Sequence, residues 1–354
     1  MDIVHLCVMS LSASLTPTGK ALSGNPIKLS VSTDGVATYT VAIGGVTVFT
    51  GSGTGNFYVF LNDIIAPYVT PQLCSNADAR VLIPISGQYA DVTVTVTDDA
   101  SGSVERTITA YYGGVSKQTW RELGNTNIFT TRFLAQTNFF FTSRGNSEYI
   151  TMRKSEVSPI PLIVPSGMQA KHGTDSLSIS GTQGSFAALN VSRLLANWQS
   201  TFGYTPDFLD IYGNGGKACT LQFVSALLSK DRYLVRFLDS LGCYSYVEFC
   251  GCARQGIDEV NYGIYGLYDD STDSYQQLRT RTETRGIVSM NTGYKTEEEL
   301  IYLQELLRSE DVVLIGYKGS DRKVTATCDG YEVAIASFEP GNITFDFHFS
   351  DLDT

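Results

Sequence analysis

The sequence predicts a mainly β protein with a few helices: an N-terminal immunoglobulin-like β-sandwich, then β-rich modules with two short amphipathic helices. Three observations lead there. Apolar and polar residues alternate in short runs from Ser23 to Tyr68, glycine-rich turns separate the runs, and only two later segments show apolar residues at helical spacing. A period of two marks a strand with one face in a core and the other in water.

Ile27, Leu29 and Val31 share one parity, as do Tyr39, Val41 and Ile43, then Val46 and Val48, then Phe57, Val59 and Leu61. Gly44-Gly45 supplies a two-residue loop, because glycine takes the positive φ that primed hairpin turns need. Asn62 to Tyr68 breaks the alternation and reads as a short helical turn at the end of the sandwich. Val92, Val94 and Val96 alternate with threonine, DDASGS turns the chain, and Val104, Ile108 and Ala110 resume the pattern. Roughly seven short strands over about 100 residues is the immunoglobulin-like signature, here without the Cys-Trp-Cys arrangement of antibody domains. Residues 1–115 are assigned to this sandwich.

Residues 116–225 read as a β-rich module with one helix. Asn138 to Phe141 is apolar on both faces, which predicts a strand covered on both sides. SPIPLIVPSG reads as an extended connection, since proline removes ladder donors and constrains its neighbour. The helix spans 190–203: Asn190 caps it, Val191, Leu194, Leu195, Trp198 and Phe202 form its buried stripe, and Gly203 stops it. Strands are expected at Phe208 to Tyr212 and Ala218 to Val224, joined by NGGK.

Residues 226–354 read as a second β-rich module with one helix. RYLVRFL and CYSYVEFCGC flank Asp239-Ser240-Leu241-Gly242 as a hairpin. The helix, 296–309, opens on a Thr296/Glu299 capping box with three successive glutamates at the positive end of its dipole, and buries Leu300, Leu303, Leu306 and Leu307. Strands follow at Val312 to Ile315, Lys323 to Thr327, Tyr331 to Ile335 and Ile343 to Phe349.

Composition narrows the function. Of 354 residues, 43% are hydrophobic and 17% charged, an ordinary globular balance. The net charge of −11, with no Lys/Arg cluster, argues against a nucleic-acid reader, which needs a positive footprint for phosphate. The apolar N-terminus carries Asp2 and no Lys or Arg before Lys20, unlike a secretory leader. No apolar run is long enough to span a membrane, so the chain reads as soluble. Seven cysteines, an odd and irregularly spaced set, read as reduced thiols from a reducing compartment. Tyr and Phe, at 20 and 18, suit half-buried sheet faces and protein interfaces.

Candidate chemistry is sparse. Cys243, Cys250 and Cys252 lack the spacing and the histidine of a zinc site, and read as buried structural thiols. Asp269, Asp270 and Asp273 lack the ligand order of a calcium loop and read as a solvated acidic loop. His5, His172 and His348 are too scattered to nominate a base, and no nucleophile elbow, phosphate loop or zincin helix occurs. The expectation is therefore no catalytic residue, no metal and no cofactor. LRTRTETRG stands out: Arg279, Arg281, Glu283 and Arg285 share one parity and threonines the other, so neither face is apolar and the strand cannot be buried in a core without unpaired charge. It is either a solvated edge strand blunted by charge or a docking edge for another subunit. Tyr244 and Tyr246 share one face of their hairpin and could serve a core or a contact.

Several runs resemble a known group. ALSGNPIKLSV, YTVAIGGVTVFTGSG and FLNDIIAPY, then RYLVRFLDSLGCYSYVEF, TGYKTEEELIYLQELLRSEDVVLIG and ITFDFHFSD, resemble tail-associated structural proteins of phages and prophages of Bacteroides-like gut bacteria. The resemblance implies a virion tail component, assembled in the bacterial cytoplasm through contacts with other tail proteins or copies of itself, with no cofactor. The alternatives are a surface adhesin or carbohydrate-binding sandwich, which needs an exposed aromatic platform, and a glycan-degrading enzyme, which needs two carboxylates about 5–10 Å apart.

Overall fold

The computed structural model describes residues 11–98, 102–123, 144, 149–225, 231–261, 263–279, 283–334 and 340–351. The chain divides into two compact units, the first made of Met1–Ile150, Pro159–Leu221 and Ser240–Cys243, the second of Thr151–Ser158, Gln222–Asp239 and Tyr244–Thr354. The architecture is mainly β, with short helices, as the alternation requires.

The first unit opens with β1 (Ser12–Thr16), β2 (Gly19–Leu22), β3 (Lys28–Ile43) and β4 (Val46–Phe60), then α1 (Asn62–Ile65), β5 (Leu82–Pro84), β6 (Tyr89–Asp98) and β7 (Gly102–Tyr111). Six of the strands join in the order β1-β3-β6-β7-β2, with β4 on β3. The long β3 pairs with β1 through Lys28–Ser32 and with β6 through Ala37–Ile43, while β4 follows its other edge and shifts register between Ser32 and Val36. One strand thus carries β1 and then β6 on one edge and β4 along the other, within an immunoglobulin-like sandwich. Leu15, Leu29, Val31, Tyr39, Val94 and Ile108 meet in its core, sealed by Leu61 and Ile65.

The helical turn expected after Leu61 is present, α1 continuing as a 3-10 turn over Ala66–Tyr68. Asn62 ties it down: Oδ1 accepts from the Ile27 amide at 2.9 Å, and Nδ2 donates to the carbonyls of Ser23 at 2.8 Å and of Asn25. Asn25 in turn bonds both backbone groups of Val115, at 3.0 and 2.8 Å.

The chain continues with α2 (Lys117–Leu123), β8 (Tyr149–Arg153), β9 (Ile160–Ile163), β10 (Gln169–His172), β11 (Asp175–Ser178), β12 (Phe186–Leu189), α3 (Val191–Phe202), β13 (Phe208–Gly213) and β14 (Gly216–Val224), of which the residues Thr151–Arg153 of β8 and Gln222–Val224 of β14 belong to the second unit. They form a five-stranded sheet, β11-β10-β13-β14-β8, and a three-stranded one, β5-β12-β9. The segment SPIPLIVPSG, expected as a connection, supplies β9. Pro161 is accommodated because β9 lies at the sheet edge, where one ladder donor can be missing. The Asn190 side chain accepts from the Arg193 amide at 3.1 Å and α3 ends on Gly203 at φ 81°, as its capping residues predict. The strand expected at Asn138 to Phe141 lies outside the described residues.

The second unit contains β15 (Arg232–Leu238), β16 (Tyr244–Cys250), β17 (Arg254–Asn261), β18 (Ile264–Asp269), β19 (Ser274–Arg279), β20 (Glu283–Asn291), α4 (Glu297–Arg308), β21 (Val312–Tyr317), β22 (Ser320–Thr327) and β23 (Thr344–Phe349). Seven strands form a sheet in the order β16-β15-β21-β22-β23-β20-β17. One face packs Phe237, Phe249, Phe345 and Phe347 against Leu300, Leu303 and Leu306 of α4, whose capping box is intact. The strand expected from Tyr331 does not form over 331–334. There the Tyr331 hydroxyl donates to the Leu300 carbonyl and its ring packs on Phe345, so the segment serves as a lid on the core. Among the described residues no helix is long and apolar enough to cross a membrane.

Candidate interaction surface

The strands β18 and β19 form a two-stranded sheet of their own. Chain order makes it the distal part of a long hairpin: β17 leads into β18, β19 leads into β20, and β17 pairs with β20 up to Asn261 and Glu283. The distal pair then runs from Ile264 and Arg279 to Asp269 and Ser274. Among the described residues these two strands pair only with each other. Strand alternation places Ile264, Tyr268 and Tyr275 on one face and Tyr265 and Leu267 on the other. All five are exposed, from Tyr268 at 45% to Tyr275 at 77%. An isolated two-stranded hairpin is marginal in water, and contiguous exposed apolar surface marks an interaction site.

The acidic turn of this arm is self-contained. Asp269 accepts from the Ser271 hydroxyl at 2.6 Å and amide at 2.9 Å, which together hold its carboxyl below the usual range, and from Gln276 Nε2 at 2.6 Å. Tyr268 donates to Asp273, which raises the phenol pKa, and packs edge-on against Tyr275 at 5.2 Å. Both carboxylates are thus engaged by local donors. Among the described residues no group of three or more His, Cys, Asp or Glu is placed to hold a metal ion.

The residues singled out as contact candidates are distributed along this region. Arg279 closes β19 opposite Ile264, and Arg281 lies outside the described residues. Arg285, on β20, donates from Nε and Nη2 to Asp258 Oδ2 of β17 at 3.1 and 2.9 Å, so its charge is partnered across the strand pair. Tyr244 is half-buried: its hydroxyl donates to Asp311 at 3.0 Å and Arg236 lies 5.5 Å from its ring centre. Tyr246 is half-buried on β16 opposite Arg236.

Asp258 also neighbours His348, whose Nε2 is 2.9 Å from the Thr327 hydroxyl. The order Thr-His-Asp invites comparison with a nucleophile relay. The second link is absent, because His348 Nδ1 lies 3.7 Å from Asp258, beyond hydrogen-bond reach, and the carboxylate is taken by Arg285. The set works as a polar ladder across β17, β20, β23 and β22. His172 is half-buried, packed on Phe208 at 4.3 Å, with Nδ1 on the Phe208 carbonyl at 2.9 Å. His5 lies outside the described residues.

Cysteines 74, 219, 243, 250, 252 and 328 all carry free thiols. Burial raises the pKa of Cys74, Cys219 and Cys328, which keeps them protonated and unreactive. Cys243 is buried as expected, whereas Cys250 is half-buried and Cys252 exposed, because Cys250 points from the last position of β16 and Cys252 lies in the following loop.

A different feature escaped the sequence reading. In the second unit, Glu156, 1% exposed, accepts from the Glu248 amide at 2.9 Å, from Arg153 N and Nη1 at 3.2 and 3.3 Å, and from Lys295 Nζ at 3.3 Å. Arg153 also reaches Glu299 at 2.9 Å, and Glu248 takes Ser155 at 2.7 Å and Arg232 at 3.4 Å. Burial pushes the Lys295 pKa down, opposed by Glu156. The network fastens the 3-10 turn Lys154–Glu156 onto β16 and the start of α4.

The first unit offers one more surface. Pairing register aligns Thr16, Lys28 and Phe60 in one row, Ser14, Ser30 and Tyr58 in the next, and Ser12, Ser32 and Asn56 in a third. The serines floor a shallow groove of about 330 Å³. Exposed Tyr58 walls it, with Lys28 Nζ 4.4 Å above the ring, and exposed Phe60, edge to face with Tyr58 at 5.7 Å, extends the aromatic surface beyond the groove.

No known protein family matches the sequence, and no curated protein does. Solved structures similar in part include a 1.5-MDa bacterial ice-binding adhesin, at 9% identity over 80% of this chain and 92% of that one, with a TM-score of 0.17. The I67–I69 fragment of the titin I-band is similar at 7% identity over 79% of this chain and 93% of that one, with a TM-score of 0.18.

Proposed function

We propose that this chain is a structural building block that works by packing against other proteins, as a component of a phage tail or tail-like particle assembled in the bacterial cytoplasm, and that it catalyses no reaction. The β18–β19 arm carries this reading. A hairpin with apolar residues exposed on both faces and, among the described residues, no strand beside it gains stability when another surface covers it. The abundance of Tyr and Phe and the resemblance of its residue runs to tail proteins fit the same role. Fractionation of particles from the producing cell, followed by mass spectrometry, tests it: the chain is expected in the particle fraction, and a variant with Ile264–Arg279 replaced by a short Gly-Ser turn is expected to stay in the soluble fraction. A full-length chain that never accompanies particles refutes the role.

A second reading, a carbohydrate-binding or adhesin sandwich, is favoured by the aromatic Tyr58/Phe60 surface beside the serine floor, since aromatic faces stack on sugar rings and hydroxyls bond to them. Binding to a glycan panel that is abolished by Tyr58→Ala and Phe60→Ala would support it. Equal binding by both variants would dismiss it.

A further inference from the structure

We infer that the groove over β1, β3 and β4 receives an acidic sugar whose carboxylate is taken by Lys28; the inference rests on the carbohydrate-binding reading above and names the class of sugar. The floor is a set of unengaged polar groups. Ser12, Ser14, Ser30, Ser32 and Asn56 all line it, and among the described residues none of their side chains makes a hydrogen bond. Alternation brings them together. Leu15, Leu29 and Val31 turn into the core, so the residues between them face outward in paired rows, about 4.8 Å apart across strands and about 6.7 Å apart along one. Side chains that both donate and accept, arrayed in this way, suit a polyol.

Charge narrows the class. Lys28 is the one charged residue lining the groove, and among the described residues its ammonium has no carboxylate within ion-pair reach. Its contact is the Tyr58 ring, with Nζ 4.4 Å from the centroid. The ammonium thus covers one face of a ring that a sugar would stack on. A neutral sugar displaces it with nothing in exchange. An acidic sugar offers it a charge-assisted hydrogen bond and uncovers the ring in the same step, replacing a cation–π contact that is weak at an exposed site. One lysine in a chain of net charge −11 matches one carboxylate, whereas a polyanion is repelled by the whole molecule. The ligand class is therefore an oligosaccharide bearing a single acid.

Titration of the full chain with oligosaccharides that carry one uronic or sialic acid, aldotetraouronic acid and sialyllactose first, each beside its carboxyl-reduced neutral form, tests the inference. An acidic form is expected to bind about tenfold tighter than its reduced form, with the difference shrinking as salt is raised. Lys28→Gln removes the charge and clears the ring, so it is expected to abolish that preference while tightening binding of the neutral form. Lys28→Arg is expected to keep the preference, and Tyr58→Ala to lose both forms, each with unchanged far-UV circular dichroism. Weaker binding of both forms by Lys28→Gln would make the lysine a mere support and overturn the exchange. Equal binding of acidic and neutral forms, or binding of neutral glycans alone through Tyr58, overturns the charge preference and leaves the carbohydrate reading intact. Binding of no glycan of either kind refutes both.

Discussion

Replacing Glu156 with alanine should be among the most damaging single changes in the second unit. The substitution leaves the Lys295 ammonium, 2% exposed, without its carboxylate, and strips the Glu248 amide of its acceptor. Removing one partner of a buried pair costs about 3–5 kcal/mol, and the orphaned amide belongs to the same penalty. Lys295→Met should cost less, about 1–3 kcal/mol, because Glu156 keeps Arg153 and the Glu248 amide. Glu156→Gln with Lys295→Met removes both charges at nearly constant volume and should lie within about 1 kcal/mol of wild type. With Glu156→Gln as the matching single variant, the cycle with Lys295→Met would then show strong coupling. Because two units need not unfold together, hydrogen exchange of β16 and α4 amides against urea is the appropriate measurement. A Glu156→Ala protein within about 1 kcal/mol of wild type would refute the reasoning. Lys295 adds a pH signature. Its folded pKa is lowered, so from that value up to the ordinary 10.5 the unfolded chain binds more protons and stability rises with pH. Below the folded pKa the lysine is charged in both states and its burial penalty is complete. Lys295→Met should flatten the slope.

Asn62→Ala removes three hydrogen bonds at the end of the sandwich and should lower its stability by about 2–3 kcal/mol in thermal unfolding, with the midpoint unchanged if the amide does not anchor α1. Gly242→Ala puts a Cβ 2.5 Å from Gln88 Nε2 at φ 82° and should destabilise the first unit by about 1–3 kcal/mol; an unaltered denaturation curve would show that the turn relaxes freely. Replacing Arg279, Arg281 and Arg285 together by alanine should leave far-UV circular dichroism and melting nearly unchanged while reducing particle formation, and normal particles would dismiss the arginine-rich stretch as a docking edge.

Strands with one wet and one dry face were legible because alternation records that asymmetry directly. Ile343, Phe345, Phe347 and Phe349 are buried with Asp346 and His348 facing outward, and the paired runs around Gly44-Gly45 form a hairpin as expected. The same signal vanishes where both faces share one environment. In β18–β19 apolar residues fall on both parities, so YDDSTDSY was visible only as an acidic loop and the arm around it was not. The edge strand β9 was hidden by its prolines. The Glu156 network was invisible for another reason: Lys295 lies 139 residues from Glu156, and no local spacing announces a contact made by folding.

The course of β3 bears on how the sandwich comes apart. β4 runs beside β3 on both sides of the exposed Asp34–Val36 stretch, holding Lys28–Ser32 with one part of its length and Val36–Ile43 with another. A protease that cut β3 there would therefore leave the β1 side and the β6 side still joined through β4. Nicking at that point should consequently yield two fragments that stay associated until the sandwich is denatured.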